Sequence, residues 1–324
     1  MTDHIRWGIL GAADFAQKTM VPAINEAAHG RLVAIATRSP DKAVPFAAQA
    51  PGLRVHDSYD ALLADPQVDA VYIPLPNTMH AEWSIKAVNA GKHVLSEKPI
   101  AMQAAEFDDL IAARDRTGKH LAEGWMPAFH PQWATIRDLI AAGDIGDLHT
   151  VTGAFSFGLH DAGNIRNKAG TGGGALRDIG VYPIGTFRFA TGLDPAVVLA
   201  DAVWDQGIDA SAWVQARADD VRFGFHVSMR TTRQQAMVFE GTRGTIRVAA
   251  PFNPGVIGQA DVTLLRDGHA ETVLRFPSAR QYVLQLEAFH AHVLDGAPYA
   301  CPLEFSRGTQ VMIDAVFAAL GPPA

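Results

Sequence analysis

The sequence predicts an α/β protein in two parts: an N-terminal doubly wound domain over residues 1–123, and a C-terminal α+β domain over 124–324 with a large, mostly antiparallel open sheet. Three observations carry this expectation. Strand-like and helix-like segments alternate up to residue 123, as in a parallel sheet covered by helices. From Leu148 onward, short period-two runs are separated by Gly, Asp and Asn, the pattern of an antiparallel sheet. The length of 324 residues is long for one core and suits about two domains.

The first strand is the apolar run 5–10, which turns at Gly11-Ala12-Ala13 and passes through Asp14 and Phe15 into a helix extending to residue 24. A second strand, 32–36, ends in Thr37-Arg38-Ser39-Pro40-Asp41-Lys42. Helices over 40–50 and 59–64, a strand at 69–73 and a helix over 79–90 stopped by Gly91 follow. A strand at 93–95, a helix over 104–117 ended by Gly118 and a strand at 120–123 complete the first domain. Beyond Gly124, alternating runs at 148–157, 221–228, 236–240, 245–248 and 262–265 read as strands, and 178–190 and 285–295 as helices. The last helix, 306–320, has the option of packing back on the first domain.

Composition narrows the function. With 48% apolar and 19% charged residues, the chain reads as an ordinary globular protein. A formal charge of −7 argues against general binding to nucleic acid or anionic membrane. The single cysteine, Cys301, has no intramolecular disulfide partner and reads as a structural thiol. No metal constellation is visible. The thirteen histidines are scattered, and His290 and His292 have a spacing that points their rings apart on a helix, where an exposed face explains them. The first strand begins after four residues and no run is long enough to span a membrane, so a cytoplasmic enzyme is expected.

The strand, small-residue turn and helix at the amino terminus form a degenerate dinucleotide fingerprint, with Ala13 and Ala16 where glycines would stand. Gly11 permits the turn, and the helix amino end offers N–H groups to a pyrophosphate. Thr37, Arg38 and Lys42 follow the second strand, where an NAD site carries an acidic residue; an arginine there accommodates a 2′-phosphate, so NADP is favoured over NAD. The alternative for Arg38 is a solvated loop charge. Glu97-Lys98-Pro99 follows a strand-like run, placing Lys98 at the carboxyl end of a parallel strand, where open α/β sheets bind ligands. Asp178 and Tyr182 stand four residues apart, on one helix face, just beyond Gly172-Gly173-Gly174. The alternative there is a tyrosine that merely packs.

Together with Trp7 to Ala13, Glu97-Lys98-Pro99, the run Tyr72 to His80 and the run Gly172 to Tyr182, the chain resembles the Gfo/Idh/MocA oxidoreductases, and within them the branch of dimeric dihydrodiol dehydrogenase and NADP-dependent D-xylose dehydrogenases. The resemblance implies a Rossmann domain followed by a substrate and oligomerisation domain, and a homodimer or higher oligomer. It places Lys98, Asp178 and Tyr182 as catalytic residues, with Asp178 and Tyr182 also touching substrate. Pro74, Leu75, Asn77, His80, Glu97, Lys98 and Arg166 are implied at the cofactor, beside Gly11 to Phe15. Trp125 reads as a wall for a sugar ring or as a core residue; Phe155 and His160 are further substrate candidates. The chain departs from the branch at Met126-Pro127-Ala128-Phe129-His130-Pro131, which lacks an arginine and leaves the sugar open.

The expected activity is hydride transfer between NADP and a carbinol carbon of a sugar, such as oxidation of C1 of an aldopyranose to a lactone. As base, Lys98 would have to be neutral, a cost of about 4 kcal/mol. The favoured arrangement has Tyr182 moving the proton, Lys98 charged beside it, and Asp178 orienting lysine or substrate. Alternatives are a keto-sugar reductase, a glycoside hydrolase that oxidises its sugar transiently with bound NAD, and a non-catalytic NADP sensor.

Overall fold

The structure is a computed structural model that describes residues 4–321. It divides into two compact units. The first runs to Phe129 and also takes Arg280–Ser306; the second is His130–Ala279 with the chain from Arg307 onward.

The first unit holds six parallel strands, β1 (Ile5–Leu10), β2 (Gly30–Ala36), β3 (Arg54–His56), β4 (Ala70–Ile73), β5 (His93–Ser96) and β6 (Leu121–Glu123), in the order β3-β2-β1-β4-β5-β6. Helices α1 (Val21–Glu26), α2 (Val44–Ala47), α3 (Tyr59–Leu63), α4 (His80–Asn89) and α5 (Glu106–Thr117) connect them. The strands are apolar almost throughout because helices cover both faces; all four residues of β4 are buried. The order reverses between β1 and β4, the switch point at which such sheets take ligands.

The sequence expectation ended this domain at residue 123 and put helix 285–295 in the second. The helix, α8 (Gln281–Asp295), instead packs Val283, Leu286 and Phe289 into the core of Trp7, Ile24 and Leu32. Trp7 Nε1 donates to His290 Nε2 at 2.9 Å, and His290 Nδ1 faces the Ala28 carbonyl at 2.6 Å. Those two bonds fix one neutral tautomer, and burial lowers the pKa of the ring. The exposed histidine face expected for this helix is therefore corrected: His290 is 1% exposed, and His292 Nδ1 faces the Ala297 carbonyl at 2.6 Å. Cys301 is buried.

The second unit opens with α6 (Pro131–Ala141) and contains α7 (Val181–Thr191) and an eight-stranded sheet, β7 (Leu148–Ser156), β8 (Ala196–Asp205), β9 (Ile208–Ala218), β10 (Val221–Ser228), β11 (Gln234–Gly241), β12 (Gly244–Val248), β13 (Asp261–Arg266) and β14 (Thr272–Arg275). Its order is β14-β13-β12-β11-β7-β10-β9-β8; β7 and β10 are parallel, and the other neighbours antiparallel. The last helix, α9 (Leu303–Leu320), begins in the first unit and continues in the second. The hairpin between β8 and β9 turns through Gln206 and Gly207 at φ 51° and 80°, the left-handed pair that matches strand twist.

Candidate active site

In the first unit, the exit of β1 is shaped by Gly11. Its φ is +98° and an added Cβ would meet Leu75 Cδ2 at 2.9 Å, so both the turn and the neighbouring loop require glycine. Its N–H donates to the Ala36 carbonyl at 2.9 Å. Ala12 and Ala13 are half-buried, Asp14 and Phe15 exposed, and the chain enters its helix through a π turn, Ala16–Met20. Turns of this kind gather at functional sites. At the end of β2, Thr37 is buried and its Oγ1 accepts from the Ser39 N–H at 3.2 Å. Arg38, Asp41 and Lys42 are exposed, so the rim beyond β2 carries two cations and one carboxylate.

The exits of β4 and β5 are tied together. Tyr72 Oη donates to Glu97 Oε1 at 2.5 Å, and the Glu97 N–H donates to the Ile73 carbonyl at 3.0 Å. His80, 1% exposed, places Nε2 2.7 Å from the Leu75 carbonyl and Nδ1 2.7 Å from the Pro99 carbonyl. The two carbonyls pull the ring towards its charged form, but desolvation is larger, Lys98 adds to it, and the pKa falls to about 4. His80, neutral at that pKa, donates its one N–H to one of these carbonyls and is wedged between the loop of Pro74, Leu75 and Asn77 and the Lys98 segment. Lys98 itself is half-buried. Glu123, which sequence reasoning missed, is buried at the end of β6 and accepts from the Ile100 N–H at 2.9 Å. Burial raises its pKa while Lys98 lowers it, so Lys98 lies in the field of this carboxylate. The only sequence signal was an acid closing an apolar strand. Trp125 is 2% exposed with its ring 5.4 Å from that of Phe305, which places it in the core.

In the second unit, a π turn, Leu176–Gly180, leads directly into α7. Asp178 lies in the π turn and Tyr182 in the first turn of α7, so the helix predicted over 178–190 starts earlier and wider. Tyr182 is 6% exposed, with its ring 5.3 Å from that of Phe155 and 5.5 Å from that of Phe252. Arg166 Nε donates to Asp178 Oδ2 at 2.9 Å. The sequence reading assigned Arg166 to the cofactor; here the guanidinium pairs with the aspartate. That reach depends on Gly173, where a Cβ would collide with the Arg166 carbonyl, and on the Gly174 N–H, which donates to the same carbonyl at 3.0 Å. His160 is exposed in the preceding loop.

Among the described residues, no group of three or more His, Cys, Asp or Glu could hold a metal ion, and no helix is long and apolar enough to cross a membrane.

Residues 5–125 match the oxidoreductase family of Gfo/Idh/MocA proteins with an NAD-binding Rossmann fold, and residues 133–247 match the C-terminal domain of the same family. The chain is 34% identical to the dTDP-3,4-didehydro-2,6-dideoxy-α-D-glucose 3-reductase of Saccharopolyspora spinosa, over 99% of this chain and 98% of the relative. It is 32% identical to the NADP-dependent D-xylose 1-dehydrogenase 2 of Haloferax volcanii, over 96% of each chain. A 3-ketoreductase from Actinomadura kijaniata, solved with NADP and TDP-benzene, superposes with a TM-score of 0.89 at 32% identity over 97% of each chain. Solved forms of that enzyme include one altered at a tyrosine and one altered at a lysine, 84 positions apart. Two matching domains in order and full-length relatives lead to one conclusion: the chain belongs to the Gfo/Idh/MocA family of oxidoreductases.

Proposed function

We propose that this protein is an NADP(H)-dependent sugar oxidoreductase that reduces a ring ketone of a pyranose to the secondary alcohol. One observation carries the reading: Lys98 and Tyr182 stand 84 positions apart, the separation of the lysine and tyrosine altered in the 3-ketoreductase. The first unit fits the cofactor. Gly11 leaves a cradle that a Cβ would fill, and the rim beyond β2 offers Thr37, Arg38 and Lys42 without a carboxylate between Thr37 and Ser39, chemistry suited to a 2′-phosphate.

Bound NADPH supplies the hydride. The chain's own residues hold the sugar and deliver one proton. Tyr182 Oη donates it to the ketone oxygen as that oxygen gains charge, and the ammonium of Lys98 stabilises the resulting phenolate. Asp178, held by Arg166, accepts from a sugar hydroxyl and fixes the ring. Solvent then returns the proton to Tyr182, and the opposite direction runs through the same groups.

Oxidation of an aldose at C1 is the second reading, favoured by the full-length likeness to D-xylose dehydrogenase. Self-association is part of the proposal: β8 and β9 expose Val198, Leu199, Val203 and Trp213, apolar surface of the kind association covers. The deciding assay follows reduced-nicotinamide absorbance with NADPH against free and nucleotide-linked keto-sugars, and with NADP⁺ against aldoses. NADPH consumption by a keto-sugar supports the reductase; NADP⁺ reduction by aldoses alone replaces it with the dehydrogenase. Silence in both arms defeats both.

A further inference from the structure

Asp209 lies on β9 between buried Ile208 and Ala210, and is itself 1% exposed. Period two puts Asp209 on the face of Trp213, Gln215 and Arg217, which are exposed, yet Asp209 is buried, and a buried carboxylate costs free energy unless its oxygens are satisfied. Most of that comes from the start of the helix that carries Asp178 and Tyr182. Oδ2 accepts from the Leu176 N–H at 2.6 Å, and the N–H groups of Ala175 and of Asp209 itself also donate to this carboxylate. The Ala175 and Leu176 N–H groups would otherwise be orphans of the first turn.

The glycine before that turn is fitted to the same carboxylate. Gly174 has φ +120°, and a Cβ would collide with Asp209 Oδ1. The Asp178 N–H donates to the Gly174 carbonyl at 3.1 Å, so the aspartate's own backbone hangs from the residue that Asp209 seats. The Gly174 N–H in turn holds the Arg166 carbonyl, and Arg166 reaches Asp178. Asp209 is thus linked through Gly174 to both members of the ion pair, to Asp178 by one backbone hydrogen bond and to Arg166 by another. The positive end of the helix favours a carboxylate here. Burial raises the pKa of Asp209 to about 6, opposed by these backbone donors and by Arg177, the charged side chain that acts on it.

We propose that Asp209 is a positioning residue for the reaction: it fixes the π turn, and through it the poses of Asp178 and Tyr182, without touching substrate. The proposal rests on the reading that those two residues serve the chemistry.

The test compares Asp209→Ala and Asp209→Asn with the wild type in turnover, KM for NADPH, thermal melting and amide exchange of the segment 175–183. Asp209→Ala is expected to lower kcat about 100-fold, the cost of a displacement near 1 Å. It should leave KM for NADPH within about twofold and speed exchange of the segment. Asp209→Asn keeps the shape and one acceptor, and should recover about tenfold of the lost kcat. Unchanged exchange in a folded Asp209→Ala protein overturns the proposal whatever the activity, and so does wild-type kcat. If Asp209→Ala does not fold, Gly174→Ala displaces the carboxylate from the other side; wild-type turnover in that variant overturns the proposal as well. A wild-type enzyme silent with every sugar defeats the functional reading, while the exchange measurement still decides whether Asp209 holds the turn.

Discussion

Arg166 Nε donates to Asp178 Oδ2 across 2.9 Å, and the aspartate is the more enclosed partner, its side chain 11% exposed against 43% for the arginine. A loop residue therefore sets the charge environment of a helix residue that sequence reasoning had assigned to substrate.

Removing the guanidinium separates this role from a cofactor contact. Arg166→Ala is expected to lower kcat/KM for the sugar about 10–100-fold while KM for NADPH stays within about twofold, because it takes a charged hydrogen bond away from a poorly solvated carboxylate. Arg166→Lys should recover only part, since an ammonium lacks the planar fork. Steady-state kinetics with each substrate varied in turn checks this; a parallel rise in KM for NADPH would return Arg166 to the cofactor.

Proton delivery is tested at the phenol. Tyr182→Phe should depress kcat by roughly 10²–10⁴-fold with cofactor affinity, read by NADPH fluorescence titration, unchanged. Lys98→Met should fall comparably, and the double variant little further, because the two act as a unit. Near-normal turnover in Tyr182→Phe alongside a dead Lys98→Met would leave Tyr182 as packing between Phe155 and Phe252.

Cofactor choice is tested at the rim of β2. Arg38→Ala should raise KM for NADPH by about tenfold or more, with KM for NADH nearly unchanged, since a charge-assisted bond to phosphate contributes roughly 1.5–3 kcal/mol. Equal effects on both cofactors would make Arg38 a solvated loop charge.

Acid lability follows from the buried histidines of the first unit. His120 has its pKa pushed down to about 2 by burial, with His292 and His93 adding to it. Its ring lies 4.1 Å from that of His292 and 4.6 Å from that of Tyr299, and Nε2 is buried with no hydrogen-bond partner among the described residues. A histidine whose folded pKa lies below the unfolded value stabilises above pH 6.5 and loses that contribution as pH falls below it. His80 and His93, both near pKa 4, add in the same direction, while Asp209 and Glu123, raised by burial, oppose it. His120→Phe should therefore be more stable than wild type at pH 5.5 by about 1–2 kcal/mol, melt higher there, and show a flatter Tm-against-pH curve. An unchanged slope between pH 7 and 5 would sink this account.

Much of the first unit could be read from the sequence because both of its signals are local. Strand–turn–helix at Gly11 and the acid–lysine–proline run at Glu97 are set by neighbours in the chain. What escaped depends on partners far away. β3 is three residues, Arg54-Val55-His56, given strand form by pairing with Ala34 to Ala36. β8 has no clean alternation, since exposed and half-buried residues fall on both faces. Helix α8 carried its periodicity openly, but which core it joins was decided by Trp7 and His290, 283 positions apart. At the site, residue types for Lys98, Asp178 and Tyr182 were visible, whereas Glu123 looks like a stray acid closing an apolar strand, and Asp209 like a residue of a polar strand face, until their backbone donors are seen.

The bracing of His80 between the Leu75 and Pro99 carbonyls has an evolutionary consequence. One imidazole couples two loops at the exits of neighbouring strands, so drift in either is transmitted to the other, and a tolerated change near Leu75 has to suit the Lys98 segment too. Diversification in such a protein is channelled away from this pair, towards positions where a change stays local.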